Sequence, residues 1–232
     1  MYSTTLTPSS EDKRDHEQLA RSIANATNCP IAVPNYRLTN TLQEHRHRHP
    51  VHAQDLLLFL HFLIHWDDPP VKFTQLVLIG HSCSAHMLSS IFLDSDSVSP
   101  TLSPQPALLS AVKGIIMSEG IYDLESLLVR FPTYRDWFIE PAFGPHQSYA
   151  PFSVLNFPLR HSQSDSISWL ILHSRGDSLV DLPQSTSMHT HLTKLDPDHS
   201  FINIDDLIGE HNDILRSPVY VDLVKDFSAK FL

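Results

Sequence analysis

Short runs of consecutive apolar residues alternate along the chain with segments in which apolar residues recur every three or four positions. Runs of strand length cover residues 31–33, 76–79, 112–117, 168–172 and 200–204. Helical periodicity covers residues 11–27, 52–66, 84–92 and 218–231, with Ser9 or Ser10 as the first candidate N-cap and Ser217 as the last. Because continuous apolar runs are typical of strands buried on both faces, this alternation predicts an α/β fold: a mostly parallel sheet covered by helices on both faces.

The run at 76–79 leads directly into Gly80-His81-Ser82-Cys83-Ser84, and a helical segment follows at once. In a sharp turn from a strand into a helix, a serine hydroxyl is lifted to the carboxyl end of the sheet, and the next backbone N–H can hold an oxyanion. Ser82 is therefore the candidate nucleophile, and the backbone N–H of Cys83 is the candidate oxyanion donor. Ser84 stands where the Gly-x-Ser-x-Gly pattern has glycine, so the match is imperfect, and Cys83 stays open as an alternative nucleophile.

Two later strand-like runs are each followed by a residue that can complete a catalytic triad. Asp177 comes after the run at 168–172, and His211 lies in the loop after the run at 200–204. The order serine, aspartate, histidine is that of α/β-hydrolases, and open α/β sheets place their sites beyond the carboxyl ends of the strands. Alternatives remain, because the chain has 16 histidines and further aspartates compete for the role of acid: Asp181, Asp205 and Asp206.

Several short segments match one family pattern: Asn35-Tyr36-Arg37-Leu38, Gly80-His81-Ser82, Glu119-Gly120-Ile121-Tyr122-Asp123-Leu124, Phe131-Pro132-Thr133-Tyr134 and Gly209-Glu210-His211-Asn212-Asp213. With them the chain resembles the fungal kynurenine formamidases (arylformamidases) of the α/β-hydrolase superfamily, from about residue 10 to the C-terminus. The resemblance implies that Ser82, Asp177 and His211 form the triad. It also implies a reaction of tryptophan catabolism, the hydrolysis of N-formyl-L-kynurenine to L-kynurenine and formate.

The same resemblance indicates where substrate contacts are to be sought. Residues 123–165, rich in aromatic residues and proline, lie where this superfamily inserts a lid. Tyr122 is the candidate substrate-binding residue because it belongs to a matched segment. Other aromatic residues can wall an aryl pocket or pack in the core: Tyr134, Trp137, Phe138 and Phe143.

One part of the family pattern is absent from the chain. The family carries His-Gly-Gly-x-Trp, whose glycine amides supply the second half of the oxyanion hole, whereas none of the six glycines here precedes Gly80. Losing one oxyanion donor costs about 10²–10³ in kcat. We therefore expect an N-terminally incomplete domain, without the strand that would lie in the sheet between the runs at 31–33 and 76–79. Two alternatives to a formamidase stay open, a small-molecule carboxylesterase of the same fold and a catalytically impaired binding protein.

Composition and charge favour small-molecule chemistry in a single domain, residues 1–232. A hydrophobic content of 41% is ordinary for a globular protein, and a net charge of −10 argues against nucleic acid or an anionic membrane as a partner. The two cysteines do not suggest a disulfide framework, and no apolar segment suits export or membrane insertion. We predict a cytoplasmic protein that acts on a small aryl formamide or ester, with a homodimer left open.

A cluster of histidines between His45 and His65 could be read as a metal site. Zinc, however, prefers three or four fixed ligands, and Arg46 and Arg48 within the cluster would repel a cation. Because triad chemistry needs no metal, we predict neither a metal nor a cofactor.

Overall fold

The structure, a computed structural model, describes residues 12–39, 47–70, 74–160 and 167–231. Within these ranges the strands form one sheet: β1 (Leu76–His81), β2 (Val112–Ser118), β3 (Ser168–Leu172) and β4 (Ser200–Asn203). They lie in the order β1-β2-β3-β4, and each neighbouring pair is parallel. The predicted α/β class with a parallel sheet is confirmed.

The helices connect the strands and cover both faces of the sheet. They are α1 (Glu17–Thr27), α2 (Val51–Ile64), α3 (Cys83–Phe92), α4 (Pro106–Ala111), α5 (Leu124–Arg130), α6 (Glu140–Phe143), α7 (Leu182–Leu195) and α8 (Pro218–Ser228). The helices predicted at 11–27, 52–66, 84–92 and 218–231 are confirmed as α1, α2, α3 and α8, with ends shifted by a few residues. Ser9 and Ser10, the candidate caps, lie outside the described residues; a 3₁₀ turn capped by the Asp12 side chain leads into α1.

Successive side chains of each strand point to opposite faces of the sheet, and each face has its own core. Ile115 and Met117 of β2 pack in one cluster with residues of α2, α3, α4 and α7. Ile116, between them, packs in a second cluster with residues of α1 and α8. Burial on both faces explains why these strands read as continuous apolar runs.

The prediction of a strand at residues 31–33 is wrong. This segment has no assigned strand, and β1 is an edge strand of the described sheet. Ile31 and Val33 instead pack, partly buried, against the cluster of α1 and α8. The apolar pattern reported their burial correctly, but a strand also requires a partner for its backbone N–H and C=O groups.

The described part of the predicted lid, residues 123–160, is a series of short helical segments over the carboxyl end of the sheet; its last part, 161–166, lies outside the described residues. Its apolar side chains form a third cluster that also includes Val180, from the loop between β3 and α7. The helices described here include none long and apolar enough to cross a membrane.

Candidate active site

The register of the sheet brings the ends of its strands level with one another. His81 is paired with Ser118, Ser118 with Leu172, and Leu172 with Asn203. Ser82 directly follows β1, and Glu119 directly follows β2. Asp177 and His211 lie in the loops after β3 and β4. All four residues therefore lie at one edge of the sheet, the edge formed by the carboxyl ends of its strands, as predicted from the sequence for Ser82, Asp177 and His211.

Ser82 has the strained backbone of a strand-to-helix elbow. Its φ is 55° and its ψ is −122°, outside the regions that L residues usually occupy. Its N–H donates to Ser118 O at 2.8 Å, which ties the elbow to β2. The Ser82 side chain is fully buried, and its Oγ makes no hydrogen bond within the described residues. The hydroxyl is thus enclosed in this structure, and the next residue, Cys83, faces the neighbouring cavity.

Asp177 and His211 form a hydrogen-bonded pair. His211 Nδ1 donates to Asp177 Oδ2 at 2.8 Å, and the other carboxylate oxygen accepts from the backbone N–H groups of Leu179 and Val180 at 2.8 and 3.0 Å. Two of the competing aspartates are engaged elsewhere, since Asp205 pairs with Arg175 and Asp206 accepts from Asn203. Of these aspartates, Asp177 is the one in contact with His211.

Glu119 is a second carboxyl group at the same histidine, and it was not among the site residues predicted from the sequence. Its Oε2 lies 3.2 Å from His211 Nδ1, and its side chain is completely buried. Burial, followed by the nearby charge of Asp177, raises the pKa of Glu119 to about 10. A signal was present in the sequence, because Glu119 directly follows a buried strand, which is the criterion that selected Ser82.

Ser82 and His211 are brought to the same place without a hydrogen bond between them. His211 Nε2, the atom that would accept the serine proton, is buried and has no hydrogen-bond partner among the described residues. The ring of His81, next to Ser82 in the chain, packs against the ring of His211 with centroids 4.6 Å apart. Such contacts are often loose before substrate binds, so this geometry is compatible with a triad.

A possible metal-ligand group lies at this edge and not in the histidine cluster of the sequence. Ligand atoms of His81, Glu119 and His211 lie within 4.8 Å of one another. His81, however, contacts Ser118 Oγ at 3.1 Å and Asn212 Oδ1 at 3.3 Å through its two ring nitrogens, and His211 Nδ1 serves Asp177. Because both ring nitrogens of His81 and the Nδ1 of His211 are used in hydrogen bonds, which leaves only His211 Nε2 without a partner among the described residues, we assign no metal to the group.

A cavity beside the elbow is lined by apolar and aromatic side chains and by uncharged histidines. Cys83 and His86 of α3 form one wall, and Trp137, Phe138 and Phe143 of the lid region form another. Burial lowers the pKa of His49 to about 3 and that of His86 to about 4, so both rings are neutral near pH 7. The cavity therefore suits an uncharged aryl group.

Tyr122, the candidate substrate contact, is not among the residues that line this cavity. It is fully buried in the cluster that includes α2 and α3, and burial raises the pKa of its hydroxyl. Its backbone N–H donates to Gln184 Oε1 at 2.8 Å, while Ile121 and Leu124 on either side reach the cavity wall. The geometry gives Tyr122 a packing role and its neighbours the contact with the cavity.

Curated proteins similar in sequence to this chain are kynurenine formamidases of fungi. The chain is 32% identical over 212 residues to the enzyme of Aspergillus versicolor, with 81% of this chain and 70% of the relative covered. It is 28% identical over 225 residues to the enzyme of Scheffersomyces stipitis, with 88% and 79% covered. No family model matches the chain.

Solved structures that resemble the chain are esterases and peptidases of the α/β-hydrolase fold. A truncated carbohydrate esterase from gut microbiota superposes with a TM-score of 0.68 at 15% identity, covering 99% of this chain and 83% of that one. A carboxylesterase of Lactobacillus plantarum gives 0.67 at 13% identity, covering 96% and 82%. An acylaminoacyl peptidase of Pyrococcus horikoshii gives 0.55 at 17% identity, and this chain spans only 27% of its length. At these identities the likeness establishes the α/β-hydrolase fold.

Proposed function

Because the chain belongs to the kynurenine formamidase family, we propose that it is a serine hydrolase that converts N-formyl-L-kynurenine to L-kynurenine and formate. The observation that carries the proposal is the Asp177–His211 pair at 2.8 Å, which lies at the same sheet edge as the strained elbow of Ser82. An uncharged cavity with aromatic walls beside the elbow supports an aryl formamide as the substrate.

In the proposed reaction, Ser82 Oγ attacks the formyl carbon while His211 Nε2 takes the serine proton. Asp177 accepts a hydrogen bond from His211 Nδ1, which selects the tautomer with a free Nε2 and stabilises the imidazolium. The backbone N–H of Cys83 is proposed as one donor to the oxyanion. The C–N bond then breaks, the amine leaves with the proton from His211, and a water molecule releases formate from the formyl-serine by the same route.

A carboxylesterase is the second candidate, and one observation favours it. N-formyl-L-kynurenine carries an ammonium and a carboxylate, whereas the described residues that line the cavity include no Asp, Glu, Lys or Arg. A neutral ester would need no charged partner. Turnover of N-formyl-L-kynurenine beside that of a p-nitrophenyl ester separates the two candidates, and a formamidase has the higher kcat/KM for the formamide.

We predict that a fluorophosphonate probe labels the protein at Ser82, because only an activated serine attacks such a probe readily. Ser82→Ala should abolish labelling, as measured by intact-protein mass spectrometry. Ser84→Ala is the matched control, since Ser84 is buried in the same elbow and its Oγ has no hydrogen-bond partner among the described residues.

Labelling that persists in Ser82→Ala would show that another residue is the nucleophile, and Cys83 would be tested first. No labelling and no turnover in the parent protein would instead favour a binding protein with the hydroxyl enclosed. The Ser84→Ala control should label like the parent, and its failure to do so would mean that the elbow had been disturbed.

A further inference from the structure

Two carboxyl groups lie close to the same nitrogen of His211, Nδ1. Asp177 Oδ2 is 2.8 Å and Glu119 Oε2 is 3.2 Å from His211 Nδ1, and the side chains of both acids are completely buried. Two ionised carboxylates in such a place would repel each other strongly in a medium of low polarity. The pair is therefore stable only if the two acids hold fewer than two negative charges.

The hydrogen-bond donors show which acid carries the charge. Asp177 accepts three hydrogen bonds, from His211 Nδ1 and from the N–H groups of Leu179 and Val180. Glu119 accepts one, from Ser174 N to Oε1 at 3.3 Å. Its Oε2 receives none from the described residues, because the single proton on His211 Nδ1 is directed to Asp177. Three donors suit a carboxylate, and one donor suits a protonated acid.

The backbone of Glu119 has a conformation that glutamate rarely adopts. Its φ is 49°, in the left-handed region that residues other than glycine rarely occupy. Its N–H donates to Leu172 O at 2.9 Å, which continues the pairing between β2 and β3 by one residue. This position directs a long acidic side chain inward to Asp177 and His211.

We propose that Glu119 keeps its proton at neutral pH and uses it to donate a hydrogen bond to Asp177, so that the two acids together carry one negative charge beside His211. Glu119 is then a positioning residue. Its O–H donates a hydrogen bond that orients Asp177, and Asp177 accepts the hydrogen bond that orients His211. The catalytic part of this inference rests on the triad proposed above, whereas the location of the proton does not.

The electrostatic surroundings of Glu119 agree with a retained proton. The titratable groups near Glu119 are Asp177, His211 and His81. Burial is the largest cause of its raised pKa, the charge of Asp177, a hydrogen bond to Asp177 and the charge of Glu210 also raise it, and the hydrogen bond from Ser174 N–H lowers it. Loss of the proton at alkaline pH would leave two adjacent carboxylates and would disturb the orientation of His211.

The decisive variant is Glu119→Gln, because a glutamine amide can donate to Asp177 and accept from Ser174 but cannot ionise. At pH 7 its kcat/KM should stay within about threefold of the parent, whereas Glu119→Ala, which removes the donor, should lose about tenfold or more. Asp177→Asn should lose about 10³–10⁴-fold, since it favours the wrong histidine tautomer. As the pH rises towards 10, the parent should lose activity and Glu119→Gln should retain it.

A second readout does not depend on catalysis. The pKa of Glu119 is raised from 4.5 to about 10 in the folded chain. Between these values the folded state holds a proton that the unfolded state releases, so its stabilising effect, complete below pH 4.5, is lost as pH rises towards 10. The melting temperature of the parent should fall between pH 7 and 9.5, and that of Glu119→Gln should fall less. Glu17→Gln, at an exposed site on α1, is the control that should follow the parent.

A Glu119→Gln protein that melts like the parent at pH 7 but loses as much activity as Asp177→Asn would overturn the proposal, because Glu119 would then act as a carboxylate. Equal dependence of the melting temperature on pH in the parent and in Glu119→Gln would also overturn it. Absence of hydrolytic activity in the parent would refute the proposed function alone, since the melting comparison would still locate the proton.

Discussion

At the scale of single residues, two glycines of the site lie where a side chain would collide with backbone atoms. A Cβ on Gly80 would lie 2.9 Å from Ala85 N, in the first turn of α3. A Cβ on Gly176 would lie 2.5 Å from Ile208 O and 2.8 Å from Gly209 O, in the loop that carries His211. Gly176 therefore lets the loop of Asp177 and the loop of His211 approach each other closely enough for their hydrogen bond.

We predict that Gly176→Ala separates these two loops, because the colliding atoms belong to the backbone and cannot rotate away. A misplacement of about 1 Å at a catalytic group costs on the order of 10² in rate, and overpacking typically costs about 1–3 kcal/mol of stability. The expected result is a fall of that order in kcat/KM together with a lower urea midpoint.

Gly209→Ala is the matched control for this prediction. A Cβ at Gly209 would meet its nearest neighbours at 3.4–3.6 Å, which is ordinary contact. If Gly176→Ala and Gly209→Ala had equal activity and equal urea midpoints, the close approach at Gly176 would not be what sets the Asp177–His211 geometry.

At the scale of elements, one buried arginine fastens the end of the lid region to α3. Arg160 Nε donates to Ile91 O at 2.9 Å, and Nη1 donates to Asp96 Oδ1 at 2.9 Å. Ile91 lies in the last turn of α3, where carbonyl groups have no partner within the helix. The arginine thus completes the end of the helix that begins at the elbow.

We predict that Arg160→Leu destabilises the protein by about 1–3 kcal/mol, because a buried carbonyl loses its donor. Equilibrium unfolding in urea measures the change. Arg216→Leu removes an arginine whose pair with Asp213, at 3.7 Å, is exposed by 83% and 62%, and such pairs contribute little. Equal losses in the two variants would contradict the prediction, because the buried hydrogen bond from Arg160 to Ile91 O would then contribute no more than an exposed ion pair.

At the scale of the whole molecule, buried titratable groups set the pH range in which the fold is stable. Burial lowers the pKa of His86 from 6.5 to about 4 and that of His49 to about 3, and it lowers the pKa of His81 well below 6.5. Below pH 6.5 these histidines therefore bind protons in the unfolded chain that they do not bind in the folded chain. These histidines stabilise the fold above pH 6.5, and their contribution is lost as the pH falls.

We predict a stability maximum near pH 7. Each such histidine lowers the free energy of unfolding by up to about 1.4 kcal/mol per pH unit on acidification. Among the described residues, the raised pKa of Glu119 has the opposite effect on stability; the histidines outweigh it below pH 6.5, and it dominates between pH 7 and 9.5. Thermal unfolding between pH 5 and 9.5 measures both limbs.

Two variants test the acidic limb. His86→Asn keeps a donor for Ile121 O, which now accepts from the His86 ring at 3.1 Å, and should weaken the dependence of stability on pH below 6.5. His65→Asn, at an exposed position, should leave that dependence unchanged. A parent protein as stable at pH 5 as at pH 7 would contradict the prediction.

The sequence by itself determined the elements and the order of the site residues. Apolar runs of strand length predicted β1 to β4, because a parallel strand buried on both faces has no polar face to interrupt it. The glycine and serine at the elbow, and the positions of Asp177 and His211 after later strands, placed three side chains at one edge. These features depend on short stretches of neighbouring residues and on their order along the chain, so the sequence alone is enough to recognise them.

Only the tertiary structure decided which side chains meet. Residues 31–33 have the apolar pattern of a strand but find no pairing partner among the described residues, and Tyr122, in a matched segment, is buried in the core. The approach of Glu119 to His211 depends on the register of β2 with β3 and on a left-handed backbone at residue 119. Contacts of this kind join residues far apart in the chain, and their energy depends on burial and on the donors available, which no local pattern records.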